Sequence, residues 1–272
     1  MKKMISAAVV TVACCLFAQT ASAALIAYEG FDYPNDTPAI NGLDGGSGWN
    51  GGWVDGDGDF AGLSQDDVSL DSAAFPFASA GDRLIGQGGG EGVRNFGPLV
   101  DVATDGALYM SLLLNKTSDG GGSADNFEVR VGPSSFADMI RFGSGSSENW
   151  ILILNGTNGG VGNLTVGDTY FAVLRLTTTS GEDELSAMVY GPGDVVPALE
   201  PAVWDMSVTK TLNTGVIDQI RLEVGANSHG DYDEFRIGSD WASVAVDVPE
   251  PTCVALTLMG SVAGMASLRR RR

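Results

Sequence analysis

Carboxylates are the groups from which this sequence could build chemistry. Its 272 residues include 34 Asp and Glu against 15 Lys and Arg, with one His and three Cys. Asp55, Asp57 and Asp59 alternate with their neighbours Gly56 and Gly58, and Asp66 falls at position 12 counted from Asp55. Oxygen ligands at loop positions 1, 3, 5 and 12 are a spacing that wraps calcium. Phe60 occupies position 6, where the sharp turn of such a loop wants glycine, and no helix pattern flanks the run. A solvated acidic loop is the plainer reading. Aromatics supply a second chemistry, because pyranose faces stack on Trp. Trp49 and Trp53 sit in the glycine-rich segment from Leu43 to Trp53 and are candidate ligand platforms. Trp150 opens an apolar run and reads as core.

Other chemistries are excluded early. His229 is the lone imidazole, in the loop-like run Asn227 to Asp231, and no G-x-S-x-G elbow accompanies it. The run Gly86 to Gly90 lacks the Lys and Ser or Thr of a phosphate loop. A net charge of −19 repels phosphate backbones, so nucleic acid is not an expected partner.

The elements that position these residues lie between two terminal signals. Lys2 and Lys3, the apolar run Met4 to Phe17 and Ala21-Ser22-Ala23 read as a cleavable export signal over residues 1–23. At the other end, Pro249-Glu250-Pro251 precedes the uncharged stretch Thr252 to Leu268 and then Arg269, Arg270, Arg271 and Arg272. Seventeen residues of helix span about 25 Å, the short end of a membrane crossing. Four terminal Arg would stop that helix on the cytoplasmic side, with the body outside.

This three-part tail over residues 248–272 resembles the PEP-CTERM sorting signal of exosortase substrates. The resemblance implies that an exosortase recognises Pro249, Glu250 and Pro251. The protein would be transiently anchored in the inner membrane, then processed and delivered to the cell surface or extracellular matrix. Removing both ends takes six of the 15 basic residues, one acid and every Cys. The body, residues 24–247, keeps 33 acids against nine bases, a net charge of −24, and has no possible disulfide.

Within the body, short apolar or alternating runs recur between Gly, Asp, Asn and Ser clusters, which predicts an all-β fold of antiparallel strands. Glu128 to Val131 and Arg221 to Val224 alternate as strands with one wet face should. Leu108 to Leu114 is more continuously apolar, broken only by Ser111, and reads as a central strand. Strands are also expected at Val68 to Leu70 and Trp150 to Leu154. Asn155-Gly156 is a hairpin turn signal.

The opening Leu25 to Tyr33, the segment Leu43 to Trp53 and the closing Tyr232 to Gly238 resemble concanavalin A-like lectin and glucanase sandwiches. That resemblance implies a two-sheet antiparallel sandwich or jelly roll whose first and last strands pair. Pairing would bring Glu29 and Asp32 near Asp231 and Asp233, a second candidate calcium group. Laminarinase-type members carry catalytic carboxylates as E-x-D-x-E or E-x-D-x-x-E on one strand, and no such run occurs here. The expectation is therefore a non-enzyme: an exported protein that binds extracellular polysaccharide or surface glycan, with calcium as its one expected cofactor. A structural matrix or adhesion protein without glycan specificity is the alternative, and a glycoside hydrolase ranks third.

Overall fold

The computed structural model describes residues 24–246, apart from 34–38, 57, 59–61, 71–74, 76–80, 119–125, 134–139, 146–147, 161 and 213–214. The expected C-terminal membrane helix and sorting motif lie outside the described residues, as do Asp57 and Asp59. No helix among the described residues is long and apolar enough to cross a membrane.

The chain folds as the expected all-β, two-sheet antiparallel sandwich. One sheet has eight strands: β1 (Leu25–Glu29), β3 (Leu63–Asp66), β4 (Arg83–Gln87), β6 (Gly106–Ser118), β11 (Thr169–Thr178), β12 (Asp183–Tyr190), β13 (Met206–Lys210) and β15 (His229–Gly238). Its order is β13-β12-β11-β6-β15-β4-β3, with β1 also on β15. The other sheet has seven: β2 (Val54–Asp55), β5 (Gly90–Asp101), β7 (Phe127–Gly132), β8 (Ile140–Ser144), β9 (Trp150–Leu154), β10 (Thr157–Asn158) and β14 (Val216–Val224). Its order is β10-β9-β8-β7-β14-β5-β2.

Alternation sets each strand's faces, since successive side chains point to opposite sides. On β9, Trp150, Leu152 and Leu154 enter the core, while Ile151 and Ile153 are half-buried outside it. Trp150 stacks on Phe142 at 5.5 Å, as the core reading requires. The hairpin from β9 to β10 closes with only Asn155 and Gly156 between the paired Leu154 and Thr157. Both turn residues have positive φ, 46° and 75°. This is the two-residue turn that Asn-Gly favours, because its twist matches that of the strands.

The run Leu108 to Leu114 became part of β6, a central strand covered on both faces. Leu108, Met110, Leu112 and Leu114 pack into the inter-sheet core. Tyr109 and Leu113 face a second apolar layer outside the eight-stranded sheet. That layer is roofed by a short helix, α1 (Trp241–Ala245), which the sequence reading did not anticipate. Asp240 and Ser243 cap its start reciprocally, and Ser111 Oγ donates to the Val244 carbonyl at 2.7 Å near its end. Polar side chains thus satisfy the backbone groups that a helix leaves open.

Two differences have local causes. The strand expected at Val68 to Leu70 lies instead at Leu63–Asp66. The Leu70 amide donates to the Asp233 side chain at 2.9 Å rather than to a strand ladder. The edge strand β13 was missed; only Met206 and Val208 of its five residues are buried, too few for a pattern.

Candidate functional site

The first and last strands pair as expected, with Glu29 opposite Phe235 in β1 and β15. The four acids assigned to a calcium group nevertheless do not converge. Glu29 points into the core. It accepts hydrogen bonds from the Phe31 amide at 2.8 Å, Tyr33 Oη at 2.7 Å and Trp53 Nε1 at 3.3 Å, and it ion-pairs with Arg94. Asp32 is exposed. Asp231 and Asp233 alternate with the core residue Tyr232 and so project from the opposite face of β15.

Asp233 accepts hydrogen bonds from Ser69 Oγ at 2.8 Å and the Leu70 amide at 2.9 Å. Burial pushes its carboxyl up to about 7. Burial likewise pushes Asp231 up to about 6, against the lowering pull of Arg83, 3.5 Å away. Arg83 also pairs with Asp66 at 2.7 Å, so one guanidinium joins an acid from each expected calcium group. Asp55 belongs to the other sheet, where its Oδ1 accepts from the Gly58 amide at 2.6 Å. No cluster of three or more potential metal ligands forms among the described residues.

Trp49 and Trp53 are similarly committed. Trp53 is buried between Phe31, stacked at 6.0 Å, and Trp49, tilted at 6.4 Å. Half-buried Trp49 donates its Nε1 to the Tyr28 carbonyl at 2.7 Å. The Arg94 guanidinium carbon lies 4.9 Å from the Trp49 ring centre and 5.7 Å from that of Trp53. Arg94 also donates to Gly51 O, Gly45 O and Asp44 Oδ1 at 2.9, 2.9 and 2.6 Å. A guanidinium has five N–H donors, and these partners with Glu29 and Tyr33 give every nitrogen an acceptor. The glycine-rich segment is thus tied down around a buried cation. It leaves no face of Trp53 open to a ligand.

The arrangement best suited to a ligand is the outer face of the seven-stranded sheet. Register places Glu91, Glu223 and Glu128 side by side across β5, β14 and β7. Two residues along, Arg221, Arg130 and Arg141 stand in a parallel row across β14, β7 and β8. Three like charges in a row repel, so the arginine row is what makes the glutamate row tolerable. Arg221 pairs with Glu91 at 2.6 Å, and Arg130 pairs with Glu223 at 2.5 Å and Glu128 at 3.2 Å. Arg141 grips Glu128 with two N–H groups, the Nε contact being 2.6 Å, and this hydrogen bonding pushes the guanidinium up.

Polar groups extend the lattice. Asn126 donates to Glu223 at 2.8 Å, and Gln219 donates to Asn95 at 2.7 Å. Gly143 stands between Glu128 and Ile151 in the register, so no side chain fills that position. Ile151 and Ile153 border the lattice with half-buried apolar surface. All seven arginines of the body are ion-paired, and three of them are on this face. The lattice therefore has zero net charge on a body of −24. Glu128 and Glu91 are buried beneath their arginine partners, so what the lattice can present to a neutral polyhydroxylated chain is the partly exposed Arg130, Arg141, Arg221 and Glu223.

No family model and no curated protein matches the chain. Solved structures do. The globular domain of T. cruzi calreticulin is similar at 12% identity and TM-score 0.46, over 80% of this chain and 88% of that one. A GH131 β-glucanase catalytic domain from Podospora anserina is similar at 10% identity and TM-score 0.41, over 67% and 83%. The exoplasmic/lumenal domain of VIP36, in a Ca2+/Man2-bound form, is similar at 11% identity and TM-score 0.38, over 71% and 92%. Such likeness concerns the fold alone.

One expectation is corrected. The body was expected not to be an enzyme, yet catalytic domains of GH131 glucanases stand among the structures similar to it. The exclusion rested on the lack of an E-x-D-x-E run along one strand. The tertiary fold gathers its carboxylates across strands instead, where no single-strand search finds them.

Proposed function

We propose that this protein is exported, sorted through its C-terminal tail, and binds neutral extracellular polysaccharide on the outer face of its seven-stranded sheet. The observation that supports the binding reading is the lattice of Glu91, Glu128 and Glu223 with Arg130, Arg141 and Arg221. Sugar hydroxyls both donate and accept, and fixed carboxylates and guanidiniums offer both complements without reordering on binding. The net charge of −24 disfavours uronic acid and sulfated polymers, so the substrate class is neutral.

Affinity electrophoresis in gels containing neutral polysaccharides tests this. Wild type should be retarded by at least one of them. Arg130→Gln and Glu223→Gln should lose that retardation while keeping a wild-type circular dichroism spectrum. Migration unaffected by every neutral polymer would overturn the binding reading. Release of reducing ends, abolished by Glu223→Gln, would move it to glycan cleavage.

The sorting reading rests on the order of Pro249-Glu250-Pro251, Thr252 to Leu268 and Arg269 to Arg272. Exosortase is the processing partner, the membrane is the transient anchor, and the cell surface or extracellular matrix is the destination. Mass spectrometry of the exported pool should find a C-terminus near Pro249–Pro251. An intact Arg272 there would sink this reading. The calcium reading keeps the loop from Asp55 to Asp59 as its site. A melting temperature lowered by chelator and restored by calcium but not magnesium would support it.

A further inference from the structure

The segment between β12 and β13, Gly191 to Asp205, is a well-braced loop with its apolar residues turned outward. Val195, Leu199 and Val203 are 85, 81 and 80% exposed, the highest of the large hydrophobic residues among those described. The underside explains why the loop holds its shape. Trp241 Nε1 of α1 donates to the Pro197 carbonyl at 3.0 Å. Trp204 meets Trp241 edge-on at 5.9 Å and lies under the Arg175 guanidinium at 4.8 Å. Glu200 accepts from Arg175 at 2.5 Å and from Tyr109 Oη at 2.8 Å.

The other acids of the loop also have partners. Asp194 accepts from the Gly191 amide at 2.8 Å, and Asp205 accepts from the Val189 amide at 3.0 Å. Three exposed aliphatic side chains on a braced support gain nothing for folding where they stand. Carried on one short loop, they are available to an apolar partner.

The position of the loop says what it contacts. It is fastened to α1, which ends at Ala245. From Val246, six residues lead to Thr252, a reach of about 20 Å at most. There the 17-residue apolar stretch Thr252 to Leu268 begins, ahead of the four arginines.

We infer that Val195, Leu199 and Val203 rest on the outer leaflet of the bilayer while the tail is anchored, seating the body against the membrane beside its processing site. This rests on the proposed anchoring of the tail. The loop carries no Lys or Arg, and the body has a charge of −24, so the contact is apolar insertion into zwitterionic lipid.

The test reconstitutes the chain before tail processing, residues 24–272, into phosphatidylcholine vesicles with or without brominated acyl chains. Two variants report depth as differences from wild type: Leu199→Trp in the loop, and Val54→Trp on the sheet at the other side of the sandwich. The inference expects both to co-float with vesicles and only the Leu199→Trp increment to be quenched by bromine. Replacing a third of the lipid with anionic phosphatidylserine should reduce that quenching. Co-flotation with Leu199→Trp no more quenched than Val54→Trp would overturn the inference and leave the anchor standing. Loss of co-flotation would overturn the anchor, and this inference with it. A vesicle-independent dimer dissolved by Leu199→Asp would assign the patch to a second copy instead, which also overturns it.

Discussion

The hydroxyl of Tyr232, on the eight-stranded sheet, crosses the core to donate to the backbone carbonyl of Glu128 at 3.0 Å. The Glu223 carbonyl lies 2.9 Å from the same oxygen. One buried side chain thus links one sheet to the two central strands of the other, at the residues whose carboxylates face outward. The ring is held by Phe127, stacked at 4.4 Å. Tyr232→Phe keeps that stacking but removes the single O–H donor that these two carbonyls share. It should cost about 1–3 kcal/mol in urea denaturation. It should also weaken polysaccharide retardation without removing a side chain of the lattice. Unchanged stability would mean that the hydroxyl does not hold the two strands together.

Arg94 and Glu29 form a second buried link, within the core. Arg94→Met removes the cation and leaves the Glu29 carboxylate facing only neutral donors in a buried site. Loss of one partner of a buried ion pair costs about 3–5 kcal/mol. Trp49 and Trp53 flank the guanidinium, so their emission should shift in the folded variant before any denaturant is added. Arg94→Lys should recover only part of the loss, since an ammonium cannot serve the acceptors spread around a planar fork.

Asp231 and Asp233 make stability depend on pH in a stated direction. Burial raises both carboxyls, to about 6 and about 7, so the folded state holds these protons more tightly than the unfolded chain does. Their contribution is fully present below the ordinary carboxylate range near about 4 and is lost as pH rises through about 6 to 7. The melting temperature of wild type should fall across that interval. Asp231→Asn should flatten the lower part of the fall. Parallel curves for the two proteins would rule Asp231 out as a contributor.

The Asn155-Gly156 turn gives a local test. Gly156 has φ of 75°, a conformation that any side chain resists. Gly156→Ala should destabilise the protein by about 1–2 kcal/mol, whereas Asn155→Gly should be close to neutral. Equal effects from the two substitutions would mean that backbone conformation is not what the turn selects for.

Much of this architecture was legible because it is local. The alternation of Glu128 to Val131 and Arg221 to Val224 marked two strands with one wet face each. The run Leu108 to Leu114, apolar but for Ser111, marked a strand covered on both faces, and Asn155-Gly156 marked a turn. Each is set by neighbours a few residues apart, where side-chain period and backbone preference act. The site was legible only in fragments. Glu128 and Arg130 could be seen to share a face, as could Arg221 and Glu223, but nothing local says that β7 lies beside β14 or that Glu91 completes the row from β5. Pairing between strands so far apart is decided by how the whole core packs.

The same division explains the acids. Composition by itself determined a strongly acidic body without thiols, and so a fold held by packing and ion pairs instead of disulfides. Only the tertiary structure decided which carboxylates would be spent inside. Glu29 follows a strand alternation that turns it into the core, and a buried carboxylate must find a cation, so Arg94 is drawn in and Trp49 and Trp53 close around it. Asp231 and Asp233 sit one alternation out of step with Tyr232 and face the other way. A shift of a single residue in register separates the two outcomes, and register is a property of paired strands.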